Sequence, residues 1–194
     1  MAGSNSEESD RARWDHKYAA GEGPAHFQPN ELLIKHGHLL LGGRALDVAC
    51  GFGGNALYLA SLGYRADAVD GSAVALARAR DEARRRQLRL NLVRADLARW
   101  RFPTELYDLV TVFFYLNHDL MPALATALRP GGLLIQAHRN LGFLRVRPQF
   151  NPAFLVKPGE LTQLALDAGL EILHSDDKAS SGEPVSWLVG RRAH

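Results

Sequence analysis

Several absences narrow what this 194-residue sequence can be. With one cysteine, Cys50, it forms no internal disulfide, and a reducing compartment such as the cytoplasm is expected. Long apolar runs are missing too: the most apolar stretch, Leu109 to Leu116, is far short of the ~20 residues of a membrane helix. The opening SNSEESD is acidic and polar, the opposite of a signal peptide. Charge of one sign is scarce as well. Twenty-three basic side chains against 21 acidic ones leave +2, which argues against a nucleic-acid partner, since such proteins carry a clear basic excess. What remains is 46% hydrophobic and 23% charged, enough apolar material for one packed domain at roughly 150 residues per domain.

Hydrophobic periodicity orders the chain. Residues 1–9 are rich in Ser and Glu with little apolar to bury and are expected to be disordered, leaving a single domain over 10–194 with a helical cap over 10–40. In that cap Trp14 and Tyr18 stand at helical spacing, and Pro29-Asn30 opens a second helix through Leu40. Short apolar runs bounded by turn residues then predict strands over 44–49, 64–69, 90–94, 107–115 and 133–137, and two more over 171–175 and 184–190. Helices are expected over 55–62, 73–87, 119–128 and 159–168, and Arg129-Pro130-Gly131-Gly132 reads as a turn. Strands alternating with helices of about ten residues imply parallel βαβ units. The last two strands lack an intervening helix and should pair antiparallel at a sheet edge. The fold class is therefore α/β: five parallel βα units plus a C-terminal antiparallel hairpin, seven strands in all, with helices on both faces.

Three acids mark one crevice. Asp47 lies in an otherwise apolar strand, where a carboxylate is costly without a hydrogen-bonding task. Asp70 closes the second strand and Asp96 the third, at the carboxyl edge where open α/β sheets bind ligands. Between the first strand and its helix runs Cys50-Gly51-Phe52-Gly53-Gly54, a turn that lets backbone approach a ligand closely. Dinucleotide enzymes share this topology, but their fingerprint has glycine three residues after the second glycine, where this chain has Ala56. A carboxylate at Asp47 also suits a cationic ligand better than a pyrophosphate.

The pattern Asp47-x-Ala49-x-Gly51-x-Gly53 resembles motif I of the class I S-adenosylmethionine-dependent methyltransferases, with Ala49 in place of the first glycine. The acidic end of strand two (AVDGS), the acid after strand three (RADL) and LRPGG before strand five extend the resemblance over residues 10–192. It implies a Rossmann-like fold and S-adenosylmethionine as cofactor. Residue by residue, it puts Gly51 and Gly53 beneath the methionine moiety, Asp70 on the ribose hydroxyls, and Asp96 with Leu97 at the adenine. Phe113, beside Phe114, would wall the site. The opening Trp14-Asp15-His16-Lys17-Tyr18 and the later Lys157-Pro158-Gly159-Glu160-Leu161 are similar to the tellurite-resistance methyltransferases and the related thiopurine and thiol methyltransferases. In those enzymes the opening segment closes over the cofactor, which brings Trp14 and Tyr18 to it.

For the acceptor, the segment after strand four, Phe114-Tyr115-Leu116-Asn117-His118-Asp119, lacks the proline pair of nucleic-acid amino-methyltransferases. A small-molecule methyl acceptor is the expectation, a thiol or a chalcogen oxyanion first, with no metal and with a monomer or homodimer as the assembly. Methyl transfer from an activated donor needs mainly proximity and desolvation. His118, His138 and Arg139 stand at carboxyl edges where they would position an acceptor. The long irregular segment 138–157 carries Arg145 and Arg147 and reads as a lid; with His26, those arginines are the candidates for reading an anionic acceptor. Two alternatives stay open: an O- or N-methyltransferase with His118 or His138 as base, and a protein that binds S-adenosylmethionine without turnover.

Overall fold

The computed structural model of the chain describes residues 4–21, 26–177 and 184–194, with side chains from residue 12 onward. The loop at Pro24 and most of the polar turn over 176–183 lie outside the described residues. The chain divides into two compact units, Met1–Trp100 and Arg101–His194.

The first unit contains α1 (Ser4–Ala19), α2 (Glu31–Lys35), β1 (Arg44–Val48), α3 (Gly54–Ser61), β2 (Arg65–Asp70), α4 (Ala73–Arg85) and β3 (Leu90–Arg94). Helix α1 begins inside the stretch 1–9 expected to be disordered. The strands run parallel in the order β3-β2-β1, with Val48 beside Val69 and Asp70 beside Arg94. Ala45, Leu46 and Val48 are fully buried, the near-continuous apolar run that parallel strands show. Ser72 caps α4 by accepting the Ala75 N–H at 3.1 Å, and Arg84 and Arg85 close the helix at its negative end. No helix separates β3 from β4; turns carry that connection.

The second unit contains β4 (Tyr107–Phe113), α5 (Met121–Ala127), β5 (Leu128–Arg139), α6 (Glu160–Asp167), β6 (Leu170–Asp176) and β7 (Val185–Arg192). The order is β4-β5-β7-β6: β4 and β5 are parallel, β7 is antiparallel to both neighbours, and β6 takes the edge. With the first unit's three strands this makes a seven-stranded mixed sheet, the α/β Rossmann-like arrangement with the antiparallel C-terminal pair that the sequence predicts.

Three boundaries moved for identifiable reasons. Strand β5 starts at Leu128, because Arg129-Pro130-Gly131-Gly132 is a register irregularity inside the strand and not a turn between elements. Strand β4 stops at Phe113 because Phe114 turns into the left-handed region at φ 58°. Helix α5 starts at Met121, after a 3-10 turn over His118–Leu120 capped by the Asn117 side chain. Among the described residues, no helix is long and apolar enough to cross a membrane.

Candidate functional site

In the first unit, the chain leaves β1 at Val48 and turns at Ala49, whose φ of 55° is the conformation a glycine would take freely. That is the position where the resembling motif has its first glycine, so this chain holds an alanine there against a strain of order 1–2 kcal/mol. Gly51 follows at φ 52°, and its N–H donates to Asp70 Oδ2 at 2.8 Å. The other oxygen of Asp70 accepts the Ser72 N–H, also at 2.8 Å. One carboxylate thus ties the turn after β1 to the turn after β2. Asp70 is 9% exposed, and burial pushes its pKa up, opposed by the N–H bonds from Ser72 and Gly51. An acid held ionised in such a place has more to gain from further donors than one in water.

Asp47 is buried within β1, and Asn55 reaches its Oδ1 at 3.5 Å from the first turn of α3. Asp96 accepts the Ala98 N–H on its side chain and the Arg99 and Trp100 N–H groups on its carbonyl, which makes it the head of a turn. Leu97 beside it is buried. Burial pushes the Cys50 thiol well up, aided by Asp47 and Asp70, so it stays protonated and fills space in the turn.

Aromatic rings cover the turn. The Trp14 and Tyr18 centroids are 5.4 Å apart, Tyr18 and Phe52 4.9 Å, and Phe27 and Phe52 6.2 Å. The Arg78 guanidinium lies 4.8 Å from the Phe52 centroid. The Tyr18 hydroxyl sits 3.4 Å from where a Cβ on Gly51 would stand. Burial, then Asp70, then Cys50 push the Tyr18 phenol above its ordinary value, so it is a hydrogen-bond donor and not a base. The chain after His26, itself exposed, crosses the start of α3 so closely that a Cβ on Gly54 would lie 2.3 Å from the Gln28 carbonyl oxygen. Asn30 then donates its N–H to Asn55 Oδ1 at 2.8 Å and caps α2 with its side chain.

In the second unit, Val112, Tyr115, His118, Gln136, His138 and Leu161 are among the residues lining a cavity of about 20 Å³. His138 is 4% exposed, and among the described residues its Nδ1 meets no hydrogen-bond partner. Burial first, and the charge of His118 second, lower its pKa to about 4, so it is neutral at pH 7. His118 Nε2 lies 3.1 Å from Glu160 Oε1, while Glu160 Oε2 accepts the Lys157 N–H at 2.7 Å at the start of α6. Arg139 lies with its guanidinium carbon 4.9 Å from both the Phe114 and the Phe143 centroids. Phe113 is half-buried in the ladder beside Ala137. Arg145 and Arg147 are exposed, Arg145 at the end of a 3-10 turn over Leu141–Arg145.

The structure thus brings Tyr18, Gly51 and Asp70 together with Trp14 behind them, and His118 and His138 together at one cavity. Asp15, Phe52, Asn55 and Glu160 also belong to these contacts, and the sequence alone assigns them no role. Asp15 and Glu160 stood inside the quoted motifs WDHKY and KPGEL, so the signal was present without a role. Asn55 and the Gln28–Gly54 contact had no local signature, because their partners lie 25 and 26 positions away in the chain.

A family described as a methyltransferase domain matches residues 45–132. A hemagglutinin 1 of Eikenella corrodens is 31% identical over 159 residues, 73% of this chain and 51% of that protein. The chain therefore spans about half the length of the curated relative it matches. Among solved structures, an S-adenosylmethionine-dependent methyltransferase from Mesorhizobium loti superposes with a TM-score of 0.71 at 17% identity, covering 86% of this chain and all of the other. The magnesium protoporphyrin IX methyltransferase of Synechocystis with bound S-adenosylhomocysteine gives 0.66 at 19%, covering 83% and 78%. The [4+2]-cyclase SpnF gives 0.76 at 18%, covering 96% and 97%. Residues 45–132 are thus similar to a methyltransferase domain, and S-adenosylmethionine is the cofactor that this likeness implies. The residues present fit it: each Asp70 oxygen accepts one backbone N–H and keeps a lone pair for a ribose hydroxyl, and the turn at Gly51 has room for a backbone approach where a side chain would meet Tyr18.

Proposed function

We propose that the chain transfers a methyl group from S-adenosylmethionine to a small molecule in the cytoplasm. The observation that carries this reading is the Asp70 carboxylate, buried at the end of β2 and bonded to the glycine turn it faces. When bound, the cofactor supplies a methyl carbon already activated on a sulfonium. The chain's own residues have the remaining tasks. Asp70 accepts from the ribose hydroxyls, Asp96 and Leu97 border the adenine, and Asp47 places a negative charge behind the turn. Tyr18 and Trp14 exclude water above it, which strengthens each of those contacts.

The motifs WDHKY and KPGEL support a tellurite- or thiol-type acceptor, with Arg145, Arg147 and His26 positioning an anion. A second reading is favoured by a specific contact. His118 bonded to Glu160 is built to take a proton, and neutral His138 with its apolar neighbours offers little to an anion. Acceptors that arrive protonated, a thiol or a hydroxyl, fit that pair, with Arg139 bracing Phe114 and Phe143 alongside. Incubation with methyl-labelled donor and a panel of small thiols, phenols and chalcogen oxyanions, read as S-adenosylhomocysteine formed, tests the proposal. Turnover with a pH–rate inflection in the histidine range supports the base; turnover of thiolates or oxyanions without one supports the arginines. Donor binding with no product from any of them would replace the enzyme reading with one of binding only.

A further inference from the structure

The aspartate of WDHKY makes no hydrogen bond to the glycine turn or to Asp70, although its charge is close enough to help push the Asp70 pKa up, and its side chain is bonded elsewhere. Its Oδ1 accepts from Ser72 Oγ, and the Val74 N–H points at the same oxygen from 3.3 Å. Its Oδ2 lies 3.9 Å from Arg94 Nη2, and Arg94 in turn donates through Nε to the Gly71 carbonyl at 3.2 Å. Three elements therefore converge on Asp15: the turn between β2 and α4, the first residues of α4, and the end of β3. A carboxylate there meets the free N–H groups and positive end of a 13-residue helix, which is where an anion is best held. Ser72 is the hinge of this arrangement. Its N–H is bonded to Asp70, its hydroxyl to Asp15, and the same hydroxyl accepts the Ala75 N–H as the cap of α4.

One helical turn beyond Asp15, on the neighbouring face, stands Tyr18. Its ring packs on Phe52 at 4.9 Å and its hydroxyl hangs over Gly51, the residue whose N–H Asp70 holds. The position of that hydroxyl is set by the position of α1. Trp14 and Tyr18 supply covering surface without direction, because stacked rings slide at little cost. The charged hydrogen bonds of Asp15 are directional, and they attach α1 to the same short turn, Asp70 to Ser72, that carries the ribose acceptor.

We infer that Asp15 is a positioning residue for the cofactor: it latches α1 to the β2–α4 turn and thereby holds Tyr18 over the glycine turn beside Asp70. The inference rests on the cofactor reading of that turn and goes beyond it, since Asp15 itself contacts no ligand. It also gives the motif a division of labour. Trp14 and Tyr18 cover; Asp15 fixes where they cover.

The test uses the full chain and S-adenosylhomocysteine as the probe, titrated calorimetrically against the parent, Asp15→Asn, Tyr18→Phe and the double variant. Asp15→Asn keeps the shape and one acceptor oxygen while removing the charge, and its helix content is checked by circular dichroism. If loosening the latch lowers the fraction of chains with α1 seated to about one tenth, the apparent Kd rises about tenfold. The effect of Tyr18→Phe should shrink in the Asp15→Asn background, because a tyrosine that is not held contributes little. A purely structural Asp15 would lower the melting temperature of the unliganded protein without this coupling. An Asp15→Asn Kd within twofold of the parent, or effects of the two substitutions that simply multiply, would overturn the latch while leaving the cofactor reading intact. A parent chain that binds no S-adenosylhomocysteine would overturn both.

Discussion

Replacing Asp70 by alanine takes the acceptor from two backbone N–H groups at once, those of Gly51 and Ser72, each bonded at 2.8 Å. Asp70 is 9% exposed, so water replaces the lost oxygens poorly. A buried donor left unsatisfied costs about 1–3 kcal/mol, which for two gives roughly 2–6 kcal/mol. The raised pKa works against this, because the folded chain spends free energy holding the carboxylate ionised in a buried place, and alanine removes that cost. The net loss should fall at the low end, about 2 kcal/mol, or about 4–8 °C in melting temperature for a chain of this length. Binding should suffer more than folding. Losing a charged acceptor for the ribose hydroxyls removes about 1.5–3 kcal/mol, which weakens the cofactor by roughly 10- to 150-fold. Thermal melts with and without S-adenosylhomocysteine, paired with calorimetric titration, separate the two effects. Asp70→Asn, which retains one acceptor oxygen, should regain part of the melting temperature and little of the affinity. An alanine variant that binds S-adenosylhomocysteine within about twofold of the parent would refute the cofactor assignment.

Gly54→Ala should destabilise the chain by about 1–3 kcal/mol and weaken cofactor binding with it, because the new Cβ lies 2.3 Å from the Gln28 carbonyl and must push the 26–30 loop off α3; an unchanged melt would mean the loop is not seated there. His138, lowered to about 4 from 6.5, refuses in the folded state a proton that the unfolded chain accepts. Its stability contribution is therefore complete above pH 6.5 and is lost as the pH falls toward 4, at most about 3 kcal/mol, so His138→Gln should lose less melting temperature between about pH 7.5 and 4.5 than the parent. Equal losses in both proteins would rule this out. With an acceptor that arrives protonated, His118→Asn should lower kcat by about 10²- to 10⁴-fold at little change in KM, and Glu160→Gln by less; full activity in His118→Asn would leave the base without support.

The sheet was legible because its strands advertise themselves. Arg44 to Val48 and Leu90 to Arg94 are short apolar runs bounded by turn residues, and the structure has strands at both. The RPGG segment misled because proline and two glycines have the chemistry of a turn, and only the ladder against Tyr107 and Leu109 shows that they lie within a strand. At the site, the places of Asp47 and Asp70 in β1 and at the end of β2 were legible from the strand pattern, whereas Asp96 also has a structural task as the head of a turn. What Asp70 holds was not legible, because Gly51 and Ser72 come to it from opposite directions along the chain. The same applies to Asp15: its partners stand near 72 and 94, and no local spacing encodes them.

Strand β7 lies between β5 and β6, although it is the last of the three to be made. Strand β6 is therefore synthesised before β7, the strand that pairs with it, and as the edge strand it gains no second ladder. Its outer row of backbone N–H and C=O groups has no neighbouring strand in the finished sheet among the described residues. Residues 170–176 are therefore an edge of the kind on which another chain can pair. Glu171, exposed and destined to meet Arg191 at 2.9 Å, carries its charge on that edge before its partner has been synthesised. A charge on an edge strand disfavours the pairing of one copy's edge with the next.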